Sequence, residues 1–81
     1  MAYGELAEKA SDVTDPVSGL RAVATLRRVT DELELAQVEA GLRAGLSWSE
    51  IAEALGVTRQ AVHKKFRKRM PPELLRARGE R

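Results

Sequence analysis

Six helix start and stop signals crowd between residues 45 and 72, and they leave the chain little choice there. Gly45 is a C-terminal glycine that closes whatever helix precedes it. Ser47-Trp48-Ser49-Glu50 has the spacing of a capping box, with Ser47 at the cap and Glu50 three positions on. It opens a short helix, Trp48 to Leu55, which Gly56 closes. Thr58 caps the next helix, from Arg59 to about Arg69. Met70-Pro71-Pro72 stops that helix, because neither proline can donate a backbone hydrogen bond. Pro72-Glu73-Leu74-Leu75 starts one last short turn before a disordered tail.

Upstream the punctuation thins out. Asp15-Pro16 is a helix start, an acidic cap followed by proline at the first helical position. From Val17 to Ala44 there is no further proline, and glycine occurs only at 19 and 41. Ala22, Leu26, Val29, Leu33, Ala36 and Ala40 follow one another at spacings of 4, 3, 4, 3 and 4, one apolar stripe along a helix. A second stripe, Leu35, Val38, Leu42 and Leu46, opens only in the C-terminal half. An unbroken helix over 16–46 is on the order of 45 Å long at 1.5 Å per residue, longer than the small remainder can cover. The first stripe therefore reads as a homodimer interface through Ala22, Leu26, Val29, Leu33 and Ala36, with ordinary core as the other reading. A break near Thr30-Asp31-Glu32, which would cap a new helix, competes with the single long helix. Residues 1–15, with four acids and few large apolar side chains, read as a flexible arm in which Glu5–Ala10 forms at most a helical turn.

The expected organisation is all-α and single-domain. An arm over 1–15 leads into a long helix over 16–46, two short helices over 47–69, and a turn and tail over 70–81. The net charge of +2 hides a polarity. Residues 1–40 carry four basic residues against eight acidic ones, a balance of −4; residues 41–81 carry ten against four, a balance of +6. A chain split in this way presents its basic end to something negative. The absence of cysteine excludes a disulfide framework, a thiolate nucleophile and a cysteine-ligated zinc. No apolar run approaches the roughly 20 residues that cross a bilayer. Nothing in Met1–Ala10 has the basic start and apolar stretch of a secretion signal, so no membrane partner and a cytoplasmic location are expected. His63 is the only histidine, which argues against a metal site. Gly45-Leu46-Ser47-Trp48-Ser49 lacks the second glycine of a nucleophile elbow, and no glycine-rich loop is present to cradle phosphate. No enzyme activity and no cofactor are expected.

Two short helices joined at Gly56 have the spacing of a helix-turn-helix. That motif needs a small residue early in its first helix, a glycine of positive φ in the turn, and apolar inner faces. Ala52 is the small residue and Gly56 the turn glycine, while Ile51, Leu55, Val57, Val62 and Phe66 occupy the inner positions. Lys65 places a charge at one late inner position, where Phe66 beside it can fill the role. The run from Gly45 through Ser47-Trp48 and Arg59-Gln60-Ala61-Val62-His63 to Phe66 resembles the helix-turn-helix of many small actinobacterial DNA-binding proteins. More distantly, it is similar to region 4 of sigma factors and to the DNA-binding domains of site-specific recombinases. The resemblance covers about residues 32–69. It implies a tri-helical core that binds double-stranded DNA; together with the apolar stripe, the expected protein is a nucleoid-associated, homodimeric transcription regulator.

In that arrangement helix 59–69 enters the major groove with its N-terminal turns nearest the base edges. Arg59, Gln60, His63, Lys64 and Arg67 point away from the face built by Val62 and Phe66. Arg59 suits guanine O6 and N7, and Gln60 suits adenine N6 and N7. Arg67, Lys68 and Arg69 lie later and suit phosphates. Ser47, Trp48 and Thr58 mark helix starts, where amides favour phosphate oxygens. Ser47 and Thr58 read equally as plain caps, and Trp48 as an amphipathic lid over the core. The alternative function is an adaptor that binds RNA polymerase or another protein through the same two helices.

Overall fold

The structure is a computed structural model and describes residues 3–77. It is all-helical, with α1 Tyr3–Ser11, α2 Pro16–Arg43, α3 Trp48–Leu55, α4 Arg59–Phe66, a 3-10 turn Arg67–Arg69, and α5 Pro72–Ala77. No strand and no helix long and apolar enough to cross a membrane occur among the described residues. The chain divides into two compact units, 1–34 and 35–81, and α2 contributes residues to each.

In the first unit, residues expected as a flexible arm form a nine-residue helix instead. The composition accounts for the difference: Glu5, Leu6, Ala7, Glu8, Lys9 and Ala10 are all good helix formers. Glu5 in the first turn and Lys9 in the last also complement the helix dipole. No residue of α1 is buried, so the low apolar content was a true signal for exposure and a false one for irregular structure. In the turn that follows, the Thr14 amide and hydroxyl both donate to Asp12 Oδ1, at 3.0 and 2.6 Å. These bonds hold the Asp12 carboxyl below the usual aspartate range. Asp15 then caps α2, accepting from the Ser18 amide at 3.3 Å, with Pro16 in the first helical position. Gly19 is buried and lies against the end of α1. A Cβ there would stand 3.3 Å from the Asp12 carbonyl oxygen and 3.4 Å from that of Lys9.

Helix α2 runs unbroken through Thr30-Asp31-Glu32, so the competing break does not occur. No glycine or proline lies between Gly19 and Gly41 to force one. The helix ends at Arg43, three residues short of the expected 46. The Leu46 amide donates to Gly41 O at 2.9 Å and the Gly45 amide to Leu42 O at 3.1 Å, with Gly45 at φ 99°. That pattern is a Schellman ending, in which the left-handed glycine takes up the last carbonyls.

In the second unit each predicted cap is in place. Ser47 Oγ accepts from the Glu50 amide at 3.0 Å while Glu50 Oε1 accepts from the Ser47 amide at 2.8 Å. A second Schellman ending follows at Gly56, φ 74°, and Thr58 Oγ1 accepts from the Ala61 amide at 3.1 Å. Regular α-helix stops at Phe66 and the expected last turn tightens to 3-10, ending at Met70 in extended backbone. The residue before a proline avoids helical ψ, and Met70 precedes Pro71. Pro72 then opens α5, a fuller helix than the turn expected over 72–75. The tail from Arg78 onward lies outside the described residues.

One buried cluster holds this unit together: Val38 and Leu42 of α2, Trp48, Ile51 and Ala52 of α3, Val62 and Phe66 of α4, then Met70 and Leu74. Leu35 and Leu75 pack on its edge. Of the expected inner residues, Ile51, Ala52, Val62 and Phe66 are buried, but Leu55 and Val57 are 38% and 48% exposed. Both flank Gly56, where the chain reverses and the end of α3 runs past the core. Met70 and Leu74 had been read as stop signal and turn. Their spacing of four from Phe66 continues the Val62–Phe66 step, a pattern that crosses the two prolines.

Candidate nucleic-acid interface

Helix α4 has two unlike sides. At 100° per residue, Val62 and Phe66 lie together on one side, and they are 2% and 1% exposed. Gln60, Ala61 and Lys64 fall on the other, the 3-10 turn follows with Arg67 and Lys68, and every one of these residues is exposed. Arg59, three residues before Val62 and seven before Phe66, falls on their side of the helix and not on the outward side expected of it; it is exposed because it stands at the first turn. Arg69 is exposed at the end of the 3-10 turn. No acidic residue lies between Glu53 and Glu73.

His63, Lys64, Arg67 and Lys68 line an open depression of about 310 Å³. His63 sits at the boundary between the two sides and is half-buried. Its ring stands edge-on to Trp48, with centroids 5.1 Å apart and planes at 82°. That contact ties the middle of α4 to the start of α3 and fixes how the imidazole faces the depression. Lys65, the charge at a nominally inner position, is exposed and carries its ammonium 5.2 Å from the centroid of the Phe66 ring. A cation over an aromatic face is a stable use of such a position, and it leaves the core apolar.

The structure brings four of the expected contact residues, His63, Lys64, Arg67 and Lys68, around one depression, with Arg59 and Gln60 on the preceding turn. It does not bring Trp48 there. Trp48 is 4% exposed and belongs to the core, the placement expected of a lid. The Ser47 and Thr58 oxygens each accept from an amide of the helix they cap. Only their hydroxyl protons and the neighbouring amides remain to meet an anion. Ala61, exposed among the polar residues of this face, was not singled out by sequence.

The expected dimer stripe is not a uniformly open face. Ala22 is 5% exposed within the single chain, Leu26 and Val29 are half-buried, and only Leu33, at 51%, and Ala36 are open. A different set of apolar residues is more exposed: Val13 at 83%, Val17 at 60% and Leu20 at 68%. With Ala24 they repeat at spacings of 4, 3 and 4, the same signal that marked the expected stripe. Among the described residues no group of histidine and carboxylate side chains is placed to hold a metal ion.

No protein-family model, curated protein or solved structure matches the chain significantly.

Proposed function

We propose that the chain binds double-stranded DNA through a helix-turn-helix made of α3 and α4, with α4 lying in the major groove. The observation that carries this reading is the division of α4 and the 3-10 turn after it: Val62 and Phe66 sealed in the core on one side, and Gln60, Lys64, Arg67 and Lys68 exposed. Five of the six residues from Lys64 to Arg69 are cationic, a density that suits a polyanion. Arg59 and Gln60, on the first turn, read base edges; Lys64, Arg67, Lys68 and Arg69 hold phosphates and set the register. Capped helix starts at Ser47 and Thr58 add amides that favour phosphate oxygens. The biological role that fits is a homodimeric transcription regulator.

Fluorescence anisotropy against a library of duplexes, across a range of salt, tests the reading. Specific binding at moderate salt is expected, weakening steeply as salt rises. Lys64→Ala, Arg67→Ala and Lys68→Ala together should lower the salt slope by about 3, roughly one per lost phosphate contact. Gln60→Ala should relax sequence preference while leaving that slope in place. Absence of any sequence preference would sink the proposal. Retention of RNA polymerase after nuclease treatment, undisturbed by alanine at Arg59 and Gln60, would favour the adaptor instead.

A further inference from the structure

We propose that a second copy of this chain covers the apolar stripe Val13, Val17, Leu20 and Ala24, by antiparallel pairing of the two α2 helices about a two-fold axis between Leu20 and Arg21. This surface extends the homodimer part of the DNA-binding reading, and its biological use rests on that reading. Val17, Leu20 and Ala24 lie on one side of α2, and Val13 is in the turn just before it. Single exposed apolar residues are ordinary on a protein surface, whereas a run of neighbours on one face marks a contact site. Helix α1 does not supply the cover. Its end lies against Gly19, and Gly19 and the buried Ala22 project from the opposite side of α2.

Charge selects both the occupant and its direction. Asp12 and Asp15 flank Val13 at the first end of the stripe, Arg21 lies beside Leu20, Arg27 and Arg28 follow the other end, and all five are exposed. Antiparallel pairing centred between Leu20 and Arg21 sets Val17 opposite Ala24 of the partner subunit, a larger side chain against a smaller one. The same register brings Asp12 and Asp15 toward Arg28 and Arg27 of the partner subunit. A parallel pair would set acid beside acid and base beside base, which helices disfavour at such spacings. The patch is therefore complementary to itself only when reversed, the property of a two-fold interface that closes at two copies.

Because the chain has no cysteine, single introduced cysteines are its only thiols. Val17→Cys and Ala24→Cys chains, mixed and oxidised, should form the mixed disulfide in preference to either symmetric one. Positions 17 and 24 are about 10 Å apart along the helix, beyond the roughly 4.4–6.8 Å Cα separation of a disulfide, so one register cannot yield both products. Light-scattering mass measured against concentration should rise from 8.9 kDa toward twice that value. Leu20→Glu should hold the mass at the monomer with unchanged helicity, while Leu33→Glu should associate like the parent chain. A parent chain that stays monomeric at roughly 1 mM, where even Kd values near 1 mM are detectable, overturns the proposal. So do preferred symmetric disulfides, or dissociation by Leu33→Glu and not by Leu20→Glu. Sequence-specific binding by a chain that never dimerises would overturn this interface and leave the DNA reading standing. A dimer of this register that ignores DNA would do the reverse.

Discussion

Residues 35–81 place nine apolar side chains in one buried cluster, whereas among the described residues before Leu35 only one apolar side chain, Ala22, is buried. The early region is not short of apolar residues: Tyr3, Val13, Val17, Leu20, Val23 and Leu33 are all large and exposed. What differs is the number of surfaces that converge. The later region gathers side chains from the end of α2, from α3, α4 and α5, and from Met70 into one place. The early region pairs a long helix with one short one, and a helix cannot bury its own stripe. Helical order and burial are thus separate achievements, and 1–34 has the first without much of the second.

The sharpest way to break this comparison is to truncate one side chain from each region. Phe66→Ala, at a site 1% exposed, should cost about 3–5 kcal/mol in urea unfolding. Leu20→Ala, at a site 68% exposed, should change the stability of the monomer by less than about 0.5 kcal/mol. Equal losses would mean that the early region is as well packed as the later one.

Glycines give a contrast of sign. Gly56 has φ 74° with open space around it, so Gly56→Ala should cost about 1–2 kcal/mol from backbone conformation alone. Gly4 lies inside α1, also in open space, and Gly4→Ala should raise α1 helicity, with a gain of about 0.5–1 kcal/mol in local stability. Amide exchange resolves the two effects. Next in size is Ser47→Ala, which removes half of the capping box and should cost about 1 kcal/mol, read from the urea midpoint.

The smallest expected effect is in the turn after α1. Asp12 is held below the usual aspartate range chiefly by the Thr14 hydroxyl, then by the Thr14 amide. A carboxyl whose folded pKa is depressed stabilises the fold above its unfolded pKa, and that contribution fades as pH falls through the folded value. Thr14→Val should therefore move the Asp12 titration upward, as read by NMR, and narrow the acid range over which the turn persists.

Capping was legible from sequence at Asp15, Gly45, Ser47 with Glu50, Gly56 and Thr58, since each cap bond spans five residues or fewer. Much of the basic face of α4 was legible too, because a helix of known register has a calculable outside once Val62 and Phe66 are assigned inward. The misreadings cluster where a side chain's neighbours come from another element. Leu55 and Val57 have the composition of core residues and stand exposed; Met70 and Leu74 sit around a proline stop and are buried. Ala22 looked available to a partner, and the single chain has already covered it.

The sequence alone determined the caps at Asp15, Ser47 and Thr58, the closing glycines at 45 and 56, and that one side of α4 is cationic. Those properties depend on hydrogen bonds within a turn and on a 3.6-residue period, both intrinsic to a short stretch of chain. Only the tertiary structure decided that Trp48 belongs to the core with His63 against its ring, and which α2 stripe stays open. Burial is a property of several segments meeting at one place, and no single segment encodes which of its faces the others will reach.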